Sequence, residues 1–132
     1  MRKSKRNYYL DIALKVAERS TCLRRQYGAV IVNNDEIVAT GYNGSPREES
    51  NCCDDGICAR ENIEHWTRYE ICKSVHAEMN AIISAARKDM IGGTIYIAGM
   101  ENGKEIIAVP CDICRRLIAN AGIKYVKERT YK

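Results

Sequence analysis

Two helix openings, far apart in the sequence, constrain this chain more than anything else in it. His76-Ala77-Glu78 begins one helical stretch and Pro110-Cys111-Asp112-Ile113-Cys114 begins another. In a Cys-x-x-Cys pair at a helix start, both sulfurs can face one point from the first turn, where the positive end of the helix favours thiolates. Pro110 costs little there, because first-turn amides have no helical partner to lose. One imidazole added to two thiolates gives three protein ligands. A tetrahedral zinc ion would then keep its fourth position for water, whose pKa falls to about 7. Glu78, two residues after His76, can stand beside that position without being a ligand, as a proton shuttle must. The fold therefore has to bring two helix N-termini to one place.

Taken singly, these residues have plainer readings. Cys111–Cys114 alone fits a redox pair or half of a zinc ribbon. His76 alone fits a satisfied core histidine, and Glu78 alone a solvated helix residue. Together and in order they spell H-x-E…P-C-x-x-C, the zinc deaminase signature.

The 132 residues are the length of one compact domain, taken here as 1–132, and 45% are apolar, so an ordered core is expected. The net charge of +4 sits partly in Arg2, Lys3, Lys5 and Arg6. That is too small and too local for a protein that coats nucleic acid, and no nucleic-acid partner is expected. It suits a ligand that carries phosphate. No apolar run of about 18 residues offers a membrane span, and the charged start has no secretory core, so a cytoplasmic protein is expected. Seven cysteines, an odd number without a secretion signal, point to metal ligation rather than a disulfide framework.

Periodicity predicts a helix from Tyr8 to Arg19, strands at Gly28–Val32 and Ile37–Tyr42 joined by an Asn33-Asn34-Asp35 turn, and a helix from His76 to Lys88. It then predicts a strand at Gly93–Ala98, a helix at Cys111–Asn120 closed by Gly122, and a strand at Ile123–Lys127. Asn102-Gly103 is a type I′ turn signal that predicts a small extra hairpin before Pro110. Residues 43–74 form a cysteine-rich insert with weak periodicity, long enough to need a function or an internal staple. The alternation of strands and helices predicts parallel pairing with helices on both faces.

The pieces Thr21-Cys22-Leu23-Arg24-Arg25, Gly28-Ala29-Val30-Ile31-Val32, Gly41-Tyr42-Asn43-Gly44-Ser45-Pro46, His76-Ala77-Glu78-Met79-Asn80-Ala81-Ile82, Pro110-Cys111-x-x-Cys114 and Ala121-Gly122-Ile123 resemble the deoxycytidylate (dCMP) deaminases of the cytidine deaminase superfamily. The resemblance runs from about residue 8 to residue 126. The metal motif is common to the whole superfamily, whereas the Gly-Tyr-Asn-Gly stretch with its cysteine-rich insert points to the dCMP branch. It implies a three-layer α/β/α fold with a mixed five-strand sheet, and conversion of dCMP and water to dUMP and ammonia. Glu78 would take the water's proton, pass it to N3 and later protonate the leaving amine. Asn43 matches the position that holds the sugar, and Ala77 joins the substrate contacts. A 5′-phosphate needs cations or amides, for which Arg24, Arg25 and the stretch Glu70–Ser74, Ser74 included, are candidates.

The resemblance also implies a second, structural zinc that ties the insert to the first helix. Cys22 and Cys52 match its positions. Cys22, Cys52, Cys58 and Cys72 are the first choice, with His65 able to replace Cys58 and Cys53 spare; four thiolates close a tetrahedral shell. Small buried cysteines are the plain alternative. The family usually continues past the last strand, whereas this sequence ends at Lys132, where Tyr131 is matched to a tyrosine lining the base pocket. Regulation by dCTP and dTTP and assembly into homo-oligomers, from dimer to hexamer, are further implications. The rival readings are a deaminase of another base (a nucleoside, tRNA adenosine, or a pteridine or flavin precursor) and a catalytically silent zinc scaffold.

Overall fold

The computed structural model describes residues 2–22, 24–46 and 74–129. Helix α1 spans Lys5–Ala17, strand β1 Gln26–Asn33 and strand β2 Glu36–Tyr42. Helix α2 covers Ala77–Ile83 and the short α3 Arg87–Met90. Strand β3 runs Thr94–Glu101 and β4 Lys104–Ile106, followed by α4 at Asp112–Ala121 and β5 at Tyr125–Glu128.

The strands form one mixed five-stranded sheet with β1 between β2 and β3. Strand β1 is antiparallel to both neighbours, and β3 is parallel to β5. The far edge of β3 is shared end to end: β5 pairs with Thr94–Ile97, and β4 with Gly99–Glu101. The expected parallel pairing thus holds for β3 and β5 but not for β1 and β3. The reason is topological. The connection through α2 carries the chain from β2 over β1, so β2 and β3 run the same way with an opposed strand between them.

Alternation along β1 and β3 sorts the core into two layers. Val30, Val32 and Ala98 pack with Tyr9 and Ala13 of α1. Ala29, Ile31, Ile95 and Ile97 pack on the other face with Ala77 and Ala81 of α2 and Ile118 and Ala121 of α4. Each isoleucine so buried contributes about 1.5–3 kcal/mol. Two glycines let the helices sit against the sheet. A Cβ on Gly28 would lie 2.0 Å from the Ala13 carbonyl oxygen, and one on Gly41 would lie 2.4 Å from the Ala81 nitrogen.

Three local departures have local causes. Helix α1 starts three residues before the expected Tyr8 because Ser4 caps it, accepting from the Asn7 amide at 3.2 Å. The helix expected to reach Lys88 stops at Ile83, and Ala86 is extended. At 100° per residue, a continuous helix would carry Met90 about 180° from Ala81. The break lets both bury in the same core. The Asn102-Gly103 turn forms as expected, with both residues at positive φ (53° and 77°), and prolongs β3 by three residues beyond the predicted strand end. The turn between β1 and β2 is Asn34-Asp35, likewise at positive φ.

Candidate metal centre

Helices α2 and α4 begin over the same end of the sheet, where β1 starts and β2 and β3 finish. Helix α2 is brought there by a short bridge, with Gly44 and Val75 exchanging both main-chain hydrogen bonds at 3.1 and 2.6 Å. It is pinned by Asn80, whose side-chain Nδ2 donates to the Tyr42 carbonyl at 2.8 Å. His76 follows Val75 directly and is the N-cap residue of α2; Cys111 holds the same place on α4. The Cys111 sulfur accepts from the Cys114 amide at 3.5 Å, which turns the Cys-x-x-Cys inward.

The convergence demanded by the sequence is present. His76 Nδ1 lies 3.6 Å from the Cys111 Sγ and 3.4 Å from the Cys114 Sγ, and the three ligating atoms lie within 4.8 Å of one another. With metal–sulfur bonds of about 2.3 Å and metal–nitrogen bonds of about 2.0–2.1 Å, a tetrahedral zinc ion needs nitrogen–sulfur edges of about 3.6 Å. The spacing and the donor set both fit zinc.

Glu78 lies in the first turn of α2 and is only 6% exposed. Burial raises its carboxyl above the ordinary range, against hydrogen bonding from its own backbone and from Cys114. Burial also lowers the His76 imidazole and pushes the Cys114 thiol up. Burial thus favours the neutral forms of Glu78, His76 and Cys114. A divalent cation offsets that penalty for thiolates.

The other expected site residues are placed unequally. Ala77 is fully buried under the centre. Asn43, 6% exposed, uses its amide as a main-chain strut: Nδ2 donates to the Arg25 carbonyl at 2.9 Å and Oδ1 accepts from the Tyr27 amide at 2.8 Å. Ser74 stands two residues before His76 with its hydroxyl buried and without a hydrogen-bond partner among the described residues. Arg24 is half-buried and has no hydrogen bond to the centre among the described residues. Cys22 is half-buried and is not part of the His76 group. Cys52, Cys53, Cys58, Cys72, His65, most of the Glu70–Ser74 stretch and Tyr131 lie outside the described residues.

Sequence reasoning passed over Tyr27 and Glu101. Both stand on the sheet face that carries α2 and α4. Tyr27 packs against that core, its ring over Gly99, where a Cβ would lie 2.5 Å from it. The Glu101 carboxylate accepts from the Arg25 Nε at 3.2 Å. The guanidinium pKa is raised by Tyr27 and Glu101 against partial burial. Strand parity could have found Tyr27, since it shares a face with Ala29 and Ile31, but β1 is apolar on both faces and hides that parity.

Residues 3–128 match the family model described as the cytidine and deoxycytidylate deaminase zinc-binding region. The chain belongs to that family. A deoxycytidylate deaminase of Mycobacterium phage D29 is 35% identical over 126 residues, covering 90% of this chain and 89% of the phage protein. The deoxycytidylate deaminase of Saccharomyces cerevisiae is 37% identical over 128 residues, covering 96% of this chain. The chain spans only 38% of that yeast relative's length. Among solved structures, the dCMP deaminase of cyanophage S-TIM5 in complex with dCMP and dUMP superposes with a TM-score of 0.69 at 28% identity, covering 96% of this chain and 81% of that one. The family fold is thus the three-layer arrangement built above, and zinc is the metal its description names.

Proposed function

We propose that this chain is a zinc-dependent hydrolase that converts dCMP and water to dUMP and ammonia. The observation that carries the reading is a pair of helix starts that hold an imidazole and two thiols at tetrahedral spacing, with a buried carboxylate beside them. His76, Cys111 and Cys114 would hold the ion, and zinc so held supplies Lewis acidity that brings the pKa of water down to about 7.

The remaining work falls to the chain. Glu78 accepts one proton of the attacking water and delivers it to N3 of the cytosine ring; it then takes the second proton from the hydroxyl added at C4 and passes it to the exocyclic nitrogen as the C4–N bond breaks and ammonia departs. Its burial keeps bulk water from competing for that proton. Asn43 fixes the start of β1 against the centre and keeps one N–H and one oxygen lone pair for a sugar hydroxyl. The relative crystallised with dCMP and dUMP supports the choice of substrate.

The test is turnover. Zinc-loaded protein incubated with dCMP, deoxycytidine, cytidine and dCTP should deaminate dCMP preferentially, read by the absorbance change on uracil formation. Glu78→Gln should keep zinc and fold but lose about 10²–10⁴-fold in kcat. Full activity in that variant ends the proton-shuttle assignment, and silence on all four substrates ends the dCMP reading.

Two further parts belong to the same proposal. Residue Cys22, with Cys52, Cys58 and Cys72 or with His65 in place of Cys58, would take a second, structural zinc, so metal analysis should return two ions per chain. Self-association is supported by the exposed Ile107, Val109, Ile113 and Leu117 around the start of α4, and gel filtration with and without dCTP or dTTP tests assembly and effector response together.

A further inference from the structure

The sugar and the base of a nucleotide are covalently joined. The group that grips the sugar and the group that moves protons at the ring must therefore keep one fixed separation. In this chain they stand on different elements. Asn43 follows the last residue of β2, whereas Glu78 lies in the first turn of α2. Asn43 is bound to β1 and its approach. Besides its side-chain bonds to Arg25 and Tyr27, its amide donates to the Tyr27 carbonyl at 3.3 Å and its carbonyl accepts from the Thr21 amide at 3.4 Å. None of these bonds reaches α2. Two flanking contacts do. The Gly44–Val75 exchange joins the residue after Asn43 to the lead-in of α2, and the Asn80 side chain holds the residue before it.

Asn80 occupies the middle of α2, where asparagine is a poorer helix former than alanine because its amide competes for main-chain bonds. Here that amide reaches across to another element, Nδ2 donating to the Tyr42 carbonyl at 2.8 Å. The main-chain N–H of Asn80 donates to the His76 carbonyl at 3.1 Å. One residue thus bonds both the neighbour of Asn43 and a metal-bearing residue, and Glu78 sits on the turn between. Gly41, whose missing Cβ would meet the Ala77 and Ala81 backbone, lets α2 lie close enough to β2 for so short a side chain to span the gap. Among the described residues, no other side chain of α2 hydrogen-bonds to β2. We propose that Asn80 is a positioning residue: it sets the distance between Asn43 and Glu78 and so aligns a bound cytosine nucleotide for proton transfer, an assignment that rests on the deaminase reading.

The experiment measures kcat and KM for dCMP per folded, zinc-loaded molecule in wild type, Asn80→Ala, Asn80→Asp and Asn80→Gln, with Asn33→Ala as the control. Asn33 makes a comparable strut at the opposite end of the sheet, donating to the Asp89 and Ile91 carbonyls at 2.9 and 3.0 Å. Asn80→Ala should keep zinc and lower kcat about tenfold or more with KM nearly unchanged, because misplaced reacting groups are felt in the transition state. Asn80→Asp, which keeps the shape without the donor, should lose as much, and Asn80→Gln, which keeps the donor on a longer arm, should recover part. Asn33→Ala should lower the urea midpoint and leave kcat alone. Amide exchange at Gly44 and Val75, which lock the same joint, should quicken in Asn80→Ala and not in Asn33→Ala. Wild-type kcat in folded Asn80→Ala or in Asn80→Asp, or equal kcat losses in Asn80→Ala and Asn33→Ala, overturns the assignment. If wild type does not turn over dCMP, the deaminase reading falls alone; quickened exchange at Gly44 and Val75 then upholds the clamp made by Asn80, and unchanged exchange overturns it.

Discussion

Gly41→Ala is the substitution that most directly tests how the sheet sets the metal centre. The new Cβ would stand 2.4 Å from the Ala81 nitrogen and 2.5 Å from the Ala77 carbonyl oxygen. Both are backbone atoms, so no side chain can swing aside. Ordinary contact begins at 3.4 Å, and α2 must therefore withdraw from β2 by about 1 Å, at a cost of about 1–3 kcal/mol for overpacking. His76 and Glu78 ride on the first turn of that helix. The same shift would open the nitrogen–sulfur edges of 3.4 and 3.6 Å well past the tetrahedral value of about 3.6 Å. A displacement of that size costs about 10²-fold in catalysis. The assay is paired: urea unfolding for stability, then zinc content and dCMP turnover on the folded fraction. Loss of zinc affinity and turnover beyond what the unfolded fraction accounts for is expected. A variant that stays folded with wild-type zinc affinity and turnover would show that Gly41 does not set the position of α2, and the reasoning would fail.

Other perturbations read separate parts of the molecule. Cys114→Ala should abolish stable zinc binding, measured by metal analysis after dialysis, because two ligands cannot close the site. Asn43→Ala strands the Arg25 carbonyl and the Tyr27 amide and should cost about 1–3 kcal/mol for each in urea unfolding, whereas Asn43→Asp should spare the Tyr27 bond and lose the one to Arg25. The Asp11 carboxyl is held below its usual range by Lys3 and then Arg129. Its contribution to stability is therefore complete above the ordinary carboxylate range and disappears as pH falls through the depressed folded value. Arg129→Ala should flatten that acid limb of the stability profile, by a small amount because the pair is partly exposed.

The legible parts of this fold are those that local chemistry decides. Gly122 ends α4 in the left-handed conformation, and Asn102-Gly103 turns β3 into β4, because few other residues tolerate positive φ. The meeting of His76 with the cysteine pair was readable because three ligand types at two helix starts have few other uses. The break after Ile83 was not readable, since the Ser-Ala-Ala that follows it has no helix-breaking residue and only the core's demand for Met90 interrupts it. Nor was the double role of β1 as antiparallel partner to both β2 and β3. Register between residues 25 and 101 is set by packing across the whole sheet, which is why Tyr27 and Glu101 went unnoticed and why Asn43, matched to a sugar-holding position, was not foreseen as a main-chain strut.

The divided edge of β3 has a bearing on solubility. Its two partners are four and three residues long, and Arg129, just past β5, donates to Glu105 of β4 at 2.9 Å and also reaches Asp11 of α1. Backbone on that flank is thus offered to a neighbouring molecule only in fragments, with a guanidinium clasp over the joint. Stray chains need a longer uninterrupted template before they can stack into fibrils. On this flank, the hairpin at Asn102-Gly103 replaces such a template with a frayed hem.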